Sequence, residues 1–286
     1  MLARVEATVK GGQTAAMQVP IERPDDPRLG DYVALPDPAA RRRLERDELF
    51  VAEGVTAIRR LLTSRHQLRS VLVTPHALAR FAGALDAVPC PVYVAPRDVL
   101  AATVGFDLHR GAIAAADRRP LPSLHEVGAT SRSIGVLEGL NDPENLGAIA
   151  RSARAFGIDA LVLDPRCIDP YYRRTVRVSM GEILHLAVAR APSWPGDLEV
   201  LHAAGFETWA LTPDPAAEPL WAQQPPPRLA LLLGAEGPGL SPAAMAAATR
   251  RVRIPIAPDV DSLNVGHAAA VAFSYVSQSA HDSLRR

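Results

Sequence analysis

Residues 134–157 read IGVLEGLNDPENLGAIARSARAFG. An apolar run from Ile134 to Leu140 passes into a polar turn at Pro143, and Leu146, Ile149, Ala150 and Ala153 then fall at the spacing that lines one helical face. A near-continuous apolar run joined to an amphipathic helix is the pattern of a strand covered on both faces in a parallel sheet. The alternation recurs downstream. Strands are predicted at ALVLD (160–164), TWAL (208–211), LALLLG (229–234) and RVRIPI (251–256), with helices between them. The fold class is α/β, with a parallel sheet in the C-terminal half, residues 133–286.

Upstream, from LFVAEG at 49 to GAIAAA at 111, shorter segments alternate in the same way. VTAIRRLL and PRDVLAAT read as helices, LRSVLV and CPVYVA as strands. Residues 47–116 therefore form a small α/β domain. Residues 117–132, DRRPLPSLHEVGATSR, lack periodicity, carry two prolines and read as a linker. Residues 1–46, rich in Pro and Asp, read as a leader of unknown role that ends in an Arg-rich helix.

With 286 residues, 48% of them hydrophobic and 22% charged, the chain can build a real core in each of two domains. No apolar run approaches the length of a membrane span, and the opening MLARVEATVK has no signal-peptide core, so a soluble cytoplasmic protein is expected. Cys90 and Cys167 lie far apart without metal-ligand spacing and read as reduced structural thiols. Net charge is zero, which argues against nucleic-acid binding by bulk electrostatics. Lys10 is the only lysine. The chain therefore has no P-loop, and a Schiff base could form only at that one position; G-x-S-x-G and H-E-x-x-H are missing as well. Positive charge sits instead in arginine clumps at 41–46, 59–69, 173–177 and 250–253. Arginine suits forked phosphate contacts, although a solvated helix face explains any single clump equally well.

Open parallel sheets bind ligands beyond the carboxyl ends of their strands. Three strand-to-helix loops there carry an excess of polar residues: NDPENLGAIARSAR (141–154), AEGPGLS (235–241) and APDVDSLN (257–264). In the first, Asn145 suits a helix N-cap, and Arg151 leans back over Gly147, where a glycine leaves space toward the loop. In the second, Gly234, Gly237 and Gly239 suggest a phosphate cradle, but Glu236 at the centre would repel a pyrophosphate and suits a ligand with positive charge or donors. A tight turn accounts for Gly237 and Gly239 and leaves Glu236 unexplained. In the third, Asp261, Ser262 and Asn264 could each cap the helix along one face of which Val265, Ala268, Ala269, Ala272, Phe273 and Val276 fall, and only one cap is needed. The three loops contain no metal-ligand set and no glycosidase-type carboxylate pair. Such a group of side chains positions an uncharged or cationic small molecule.

NDPENLGAIARSARAFG, LLLGAEGPGLS and RIPIAPDVDSLNVGHAAAVA resemble, in order and spacing, the three motifs of the SpoU (TrmH) branch of the SPOUT superfamily, RNA ribose 2′-O-methyltransferases that use S-adenosylmethionine. The resemblance implies a C-terminal SPOUT domain with a deep trefoil knot and a homodimer, with no metal and no membrane partner. Residues 47–116, with FVAEGVTAI and FDLHRGAIAA, resemble the small ribosomal-protein-like substrate-binding domain that often precedes it. By the same resemblance Gly234, Ile254 and Leu263 contact the cofactor, chiefly through backbone atoms, and Asn145, Arg151, Glu236, Ser262 and Asn264 form the catalytic surround. The family methylates both ribosomal and transfer RNA, and the ribosomal-protein-like module favours ribosomal RNA. Two rivals stand beside this reading: a catalytically silent RNA-binding or assembly protein on the same scaffold, and a relative that methylates a base nitrogen. Arg151 is either the base that activates the 2′-hydroxyl or, since a guanidinium keeps its proton up to a pH above ~12, a grip on the neighbouring phosphate.

Overall fold

A computed structural model describes residues 17–45 and 48–283 of the chain, which falls into two units divided between Arg119 and Pro120. In the first unit the elements run β1 (Gln18–Pro20), α1 (Pro38–Glu45), β2 (Leu49–Glu53), α2 (Val55–Leu62), β3 (Leu68–Val73), α3 (Pro75–Ala79), β4 (Val92–Val94), α4 (Arg97–Val104) and β5 (Ala112–Asp117). The sheet order is β1-β4-β3-β5-β2; β1, β4 and β3 run parallel, and β5 lies antiparallel to both β3 and β2.

The described part of the presumed leader belongs to this unit. β1 is an edge strand beside β4, and Ile21, Leu29, Tyr32 and Leu35 are buried in one cluster with Leu72, Leu100 and Val104. The Tyr32 hydroxyl reaches Ser70 Oγ at 2.7 Å. The Pro- and Asp-rich composition disguised a wrap whose widely spaced apolar residues cover one face of a sheet. Lys10 and Arg46 lie outside the described residues. Several clumped arginines are structural. Arg41 is buried against Glu45 at 2.7 Å, Arg69 pairs with Asp117 and Asp31, and Arg59 donates to the carbonyls of Arg80 and Phe81 at 2.9 Å each.

The second unit runs α5 (Leu124–Thr130), β6 (Ser133–Glu138), α6 (Pro143–Ala155), β7 (Ala160–Leu163), α7 (Arg173–Val178), β8 (Ala187–Arg190), α8 (Leu198–Ala203), β9 (Glu207–Leu211), β10 (Glu218–Pro219), β11 (Leu229–Gly234), α9 (Pro242–Ala247), β12 (Arg250–Arg253) and α10 (Val265–Ser283). Its sheet has the order β10-β12-β9-β11-β6-β7-β8, and every pairing is parallel. Alternate residues of the central strands face opposite layers. Ile134, Val136, Ala230 and Leu232 pack with Leu124 and Val127 of α5 and Leu198 and Leu201 of α8. On the other face α10 lies so close that a Cβ on Gly135 would stand 3.1 Å from Phe273 Cζ. Burial on both faces is why these strands carry so few polar residues.

Three boundaries differ from the sequence reading. The linker 117–132 contains α5, whose capping box has Glu126 N–H donating to Ser123 Oγ at 3.2 Å and Ser123 N–H donating to the Glu126 carboxylate at 2.7 Å. β12 stops at Arg253, because Pro255 has no N–H for the ladder, and residues 254–264 are a long connection into α10. β8 and β10, of four and two residues, are too short for their periodicity to register. Both cysteines are free and buried, and burial pushes the Cys90 thiol up to about 11 and the Cys167 thiol up to about 12, so both stay protonated at neutral pH.

Gly147 marks the tightest helix contact. A Cβ there would lie 2.7 Å from Val178 Cβ and 3.1 Å from the Ser179 backbone nitrogen, so α6 and α7 approach only because position 147 is glycine. The space that Arg151 was expected to occupy is filled by α7. Gly147→Ala should therefore destabilise the fold by about 1–3 kcal/mol through overpacking, despite alanine's better helix propensity. Urea denaturation checks this, and an unchanged or raised midpoint would contradict it.

Candidate functional site

The carboxyl ends of β6, β11 and β12 deliver the three polar loops to one region. Asn264 is the N-cap of α10. Its Oδ1 accepts from the N–H groups of Gly266 at 2.9 Å and His267 at 3.2 Å, and its backbone carbonyl accepts the first helical bond, from Ala268, at 2.9 Å. With the acceptor side of the amide spent on the helix, Nδ2 is turned outward. It donates to Asn145 Oδ1 at 2.9 Å and to Glu236 Oε1. One side chain thus ties all three loops together, and Asp261 and Ser262 are left exposed.

Asn145 does not cap α6. Asp142 does, its carboxylate accepting from Glu144 N–H at 2.9 Å, with Pro143 at the first helical position where a missing N–H costs nothing. The cap therefore lies three residues earlier than expected, and Asn145 sits inside the first turn, buried, with its amide directed at Asn264. Gly266 makes the approach possible. A Cβ on it would meet Ala148 Cβ at 3.3 Å.

Beside this cluster opens a cleft of ≈ 610 Å³. Leu211, Leu233, Ile254, Ile256, Val265 and Ala268 give it apolar walls, and Gly234 to Gly237, Gly239 and Ser262 to Asn264 contribute backbone and polar edges. Its ionisable lining consists of two carboxylates, Glu236 and Asp261. Gly234 is where the chain folds back most tightly: a Cβ there would lie 2.1 Å from the Gly239 carbonyl carbon and 2.2 Å from Leu240 N. Gly237 and Gly239 take left-handed φ angles of +85° and +69°, so the glycine spacing is that of a turn. Apolar walls suit a flat heteroaromatic ring, backbone edges suit its hydrogen bonding, and a lining with two carboxylates and no basic side chain suits a cationic ligand over a phosphate. The residues present fit S-adenosylmethionine.

Of the eight expected site residues, Gly234, Ile254, Leu263, Glu236, Ser262 and Asn264 line the cleft, and Asn145 touches it through Asn264. Arg151 does not line it. It is exposed on α6 without a partner among the described residues, two turns along from Asn145. Sequence reasoning passed over Glu138, Asp164 and Arg166. Glu138 and Asp164 are 2% and 0% exposed at the ends of β6 and β7, and the signal was a carboxylate closing an otherwise apolar strand in VLEGL and again in LVLDPR. Burial pushes the Asp164 carboxyl up. Hydrogen bonds from Gly139 N–H, Cys167 and Arg166 outweigh that and hold it below the ordinary carboxylate range.

The cap assignment has a direct energetic consequence. Asn264→Ala removes the acceptor for two helix N–H groups and strands the buried Asn145 amide, at a cost of about 1–3 kcal/mol. Asn264→Asp keeps the cap and should cost less. Equal losses for the two variants by urea denaturation would show that the cap contributes nothing.

The SpoU rRNA Methylase family matches residues 133–274. The chain is 45% identical over 262 residues, 90% of its own length and 91% of the relative's, to an uncharacterized tRNA/rRNA methyltransferase of Mycobacterium tuberculosis. Among solved structures it is similar to an RNA 2′-O ribose methyltransferase, with 28% identity and a TM-score of 0.75 over 92% of this chain and 100% of that one. It is also similar to the SpoU methyltransferase AviRb of Streptomyces viridochromogenes in complex with the cofactor AdoMet, with 25% identity and a TM-score of 0.73 over 90% and 100% of the two chains. The family match covers all three loops and the sheet that carries them, and the identity to the mycobacterial relative extends over nearly the whole chain: it belongs to the SpoU rRNA methylase family.

Proposed function

We propose that this chain methylates a ribose 2′-hydroxyl in a structured RNA, ribosomal RNA in preference to transfer RNA. Family membership makes it an RNA methyltransferase with S-adenosylmethionine as cofactor. The observation that carries the finer reading is the Asn264 amide, which joins Asn145 and Glu236 at the edge of a cleft with apolar walls and no basic side chain. The cofactor supplies an electrophilic methyl; the chain's own residues bind, orient and exclude water. Gly234, Ile254 and Leu263 hold the cofactor, chiefly through backbone edges. Asn145, Glu236, Ser262 and Asn264 present an uncharged hydroxyl with donors and acceptors fixed in advance, and orientation of that kind can supply several kcal/mol, up to roughly 7–11 in the best cases. Arg151 grips the phosphate beside the reacting ribose and lowers the cost of alkoxide character. Its exposure and freedom from internal partners support that role.

The same reading extends to architecture. Three separate stretches, 211–213, 233–237 and 261–265, line one cleft together with Gly239, Ile254 and Ile256, a convergence consistent with a deep trefoil knot in this region. The first unit serves as the ribosomal-protein-like reader of the RNA, with Arg65, Arg80 and Arg110 exposed and free of carboxylate partners among the described residues. A second copy of the chain covers the apolar strip of Trp221, Val271 and Tyr275, where Trp221 is 48% exposed and its ring meets Tyr275 at 5.3 Å between centroids.

Two measurements test the proposal. Calorimetry should detect S-adenosylmethionine binding, and mapping of 2′-O-methyl sites in cells with and without the gene should reveal a lost ribosomal site. A lost transfer RNA site would overturn the ribosomal preference, and a lost base methylation would overturn the ribose assignment. Arg151→Ala should reduce turnover by about 100-fold or more, as expected for removal of one transition-state contact, with cofactor affinity nearly unchanged. An unchanged rate would remove Arg151 from the mechanism.

A further inference from the structure

A second polar network lies behind the cofactor-facing loop and is centred on Glu138, Asp164 and Arg166, which lie outside the three motifs. Glu138 ends β6 with its side chain 2% exposed. A buried carboxylate persists only with partners. One oxygen accepts from Arg166 Nη2 at 2.9 Å, the other from Ser241 N–H at 2.9 Å. Ser241 closes the loop 234–241 and caps α9, its Oγ accepting from Ala244 N–H at 3.2 Å. The loop opens at Gly234, which is the register partner of Glu138 across β6 and β11. Glu138 therefore holds both ends of the loop that carries Glu236, one through the sheet and one through its carboxylate.

Arg166 is the only cation on this carboxylate among the described residues. Its Nε donates to Asp164 Oδ2 at 3.1 Å while Nη2 reaches Glu138, so a single guanidinium spans the ends of two neighbouring strands. Asp164 in turn accepts from the N–H groups of Gly139, Arg166 and Cys167 at 3.0, 3.0 and 2.9 Å, which fixes the start of the first loop. The guanidinium also lies against that loop: a Cβ on Gly139 would stand 3.7 Å from Arg166 Nη2 and 3.5 Å from Ala235 Cβ. The Arg166 side chain is 67% exposed, so its effect runs through these bonds rather than through packing. A guanidinium offers separate nitrogens in a fixed plane to the two carboxylates, whereas a lysine ammonium must reach both from a single nitrogen on a flexible stem.

We propose that Arg166 is a positioning residue for the methyl transfer: acting through Glu138, it sets the path of loop 234–241 and so the affinity for the cofactor. The inference rests on the cleft being the S-adenosylmethionine site. The test is calorimetric titration of the full chain with S-adenosylmethionine and S-adenosylhomocysteine, in parent, Arg166→Ala and Arg166→Lys forms, each with its thermal midpoint. Arg166→Ala should weaken both ligands by about tenfold or more. Non-denaturing ethylguanidinium should restore its binding, and ethylammonium should not, a rescue that a merely structural role would not produce. Arg166→Lys keeps a cation beside Asp164, so it should melt near the parent and still bind more weakly; it carries the test if Arg166→Ala fails to fold. Either variant, folded and binding like the parent, overturns the inference, as does a loss in Arg166→Ala that ethylguanidinium leaves untouched. A parent chain that binds neither ligand would overturn the cofactor reading itself, so the two failures are distinguishable.

Discussion

The site depends on the two ends of one amide. Asn264 spends its oxygen on the N-terminus of α10 and, because an amide is planar, the nitrogen must then point away from the helix, toward Asn145 and Glu236. Helix capping and loop assembly are a single geometric event. α10 is anchored on the sheet by Phe273 against Gly135, and α6 brings Asn145 within reach because a glycine at 266 lets α6 and α10 close in. Each of these contacts lies in the core, yet each fixes a polar atom at the cleft.

A parallel sheet covered on both faces confines its unpaired polar groups to the strand ends. There the chain places two pairs of carboxylates of different kind. Glu236 and Asp261 line the cleft, exposed, where their charge can meet a cationic ligand. Glu138 and Asp164 are buried one layer deeper, where each carboxylate oxygen is matched to a backbone N–H or to Arg166. Arg190 reinforces this layer by donating to the carbonyls of Asp164, Cys167 and Ile168. Fully satisfied networks of this kind favour one loop geometry over its neighbours, because any shift leaves a buried charge without a partner.

What the sequence disclosed follows the range of the forces involved. Strands such as 229–234 and helices such as 55–62 were legible to the residue because local periodicity encodes them. So were the three loops; of the polar surplus at 261–264, Asn264 is the cap, and Asp261 and Ser262 stay exposed at the cleft. The contacts between elements were not legible. Asp142 displaced Asn145 as cap because Pro143 starts the helix early, and Gly147 was read as open space when Val178, thirty-one residues on, fills it. The strand-end carboxylates and Arg166 escaped notice because a charged residue at the end of an apolar run looks like an exposed terminus until the loops above it are in place. The wrap formed by residues 17–35 failed for the opposite reason: its few apolar residues are too widely spaced to show a period, though they fill one core.

The arginines allow a last step. Zero net charge would suggest weak attraction for RNA if every charge were free, but many are not. Arg41, Arg59, Arg69, Arg166 and Arg190 are committed to carboxylates or carbonyls, and Arg174 is paired with Glu144 at 2.6 Å. The committed arginines act as parts of the fold, and the acids paired with Arg41, Arg69, Arg166 and Arg174 cancel those four locally. Exposed arginines whose side chains make neither an ion pair nor a hydrogen bond among the described residues are Arg65, Arg80 and Arg110 on the first unit and Arg132, Arg151 and Arg251 on the second. With so much of the charge paired, shape and local contacts carry more of the discrimination between RNAs than bulk electrostatics does.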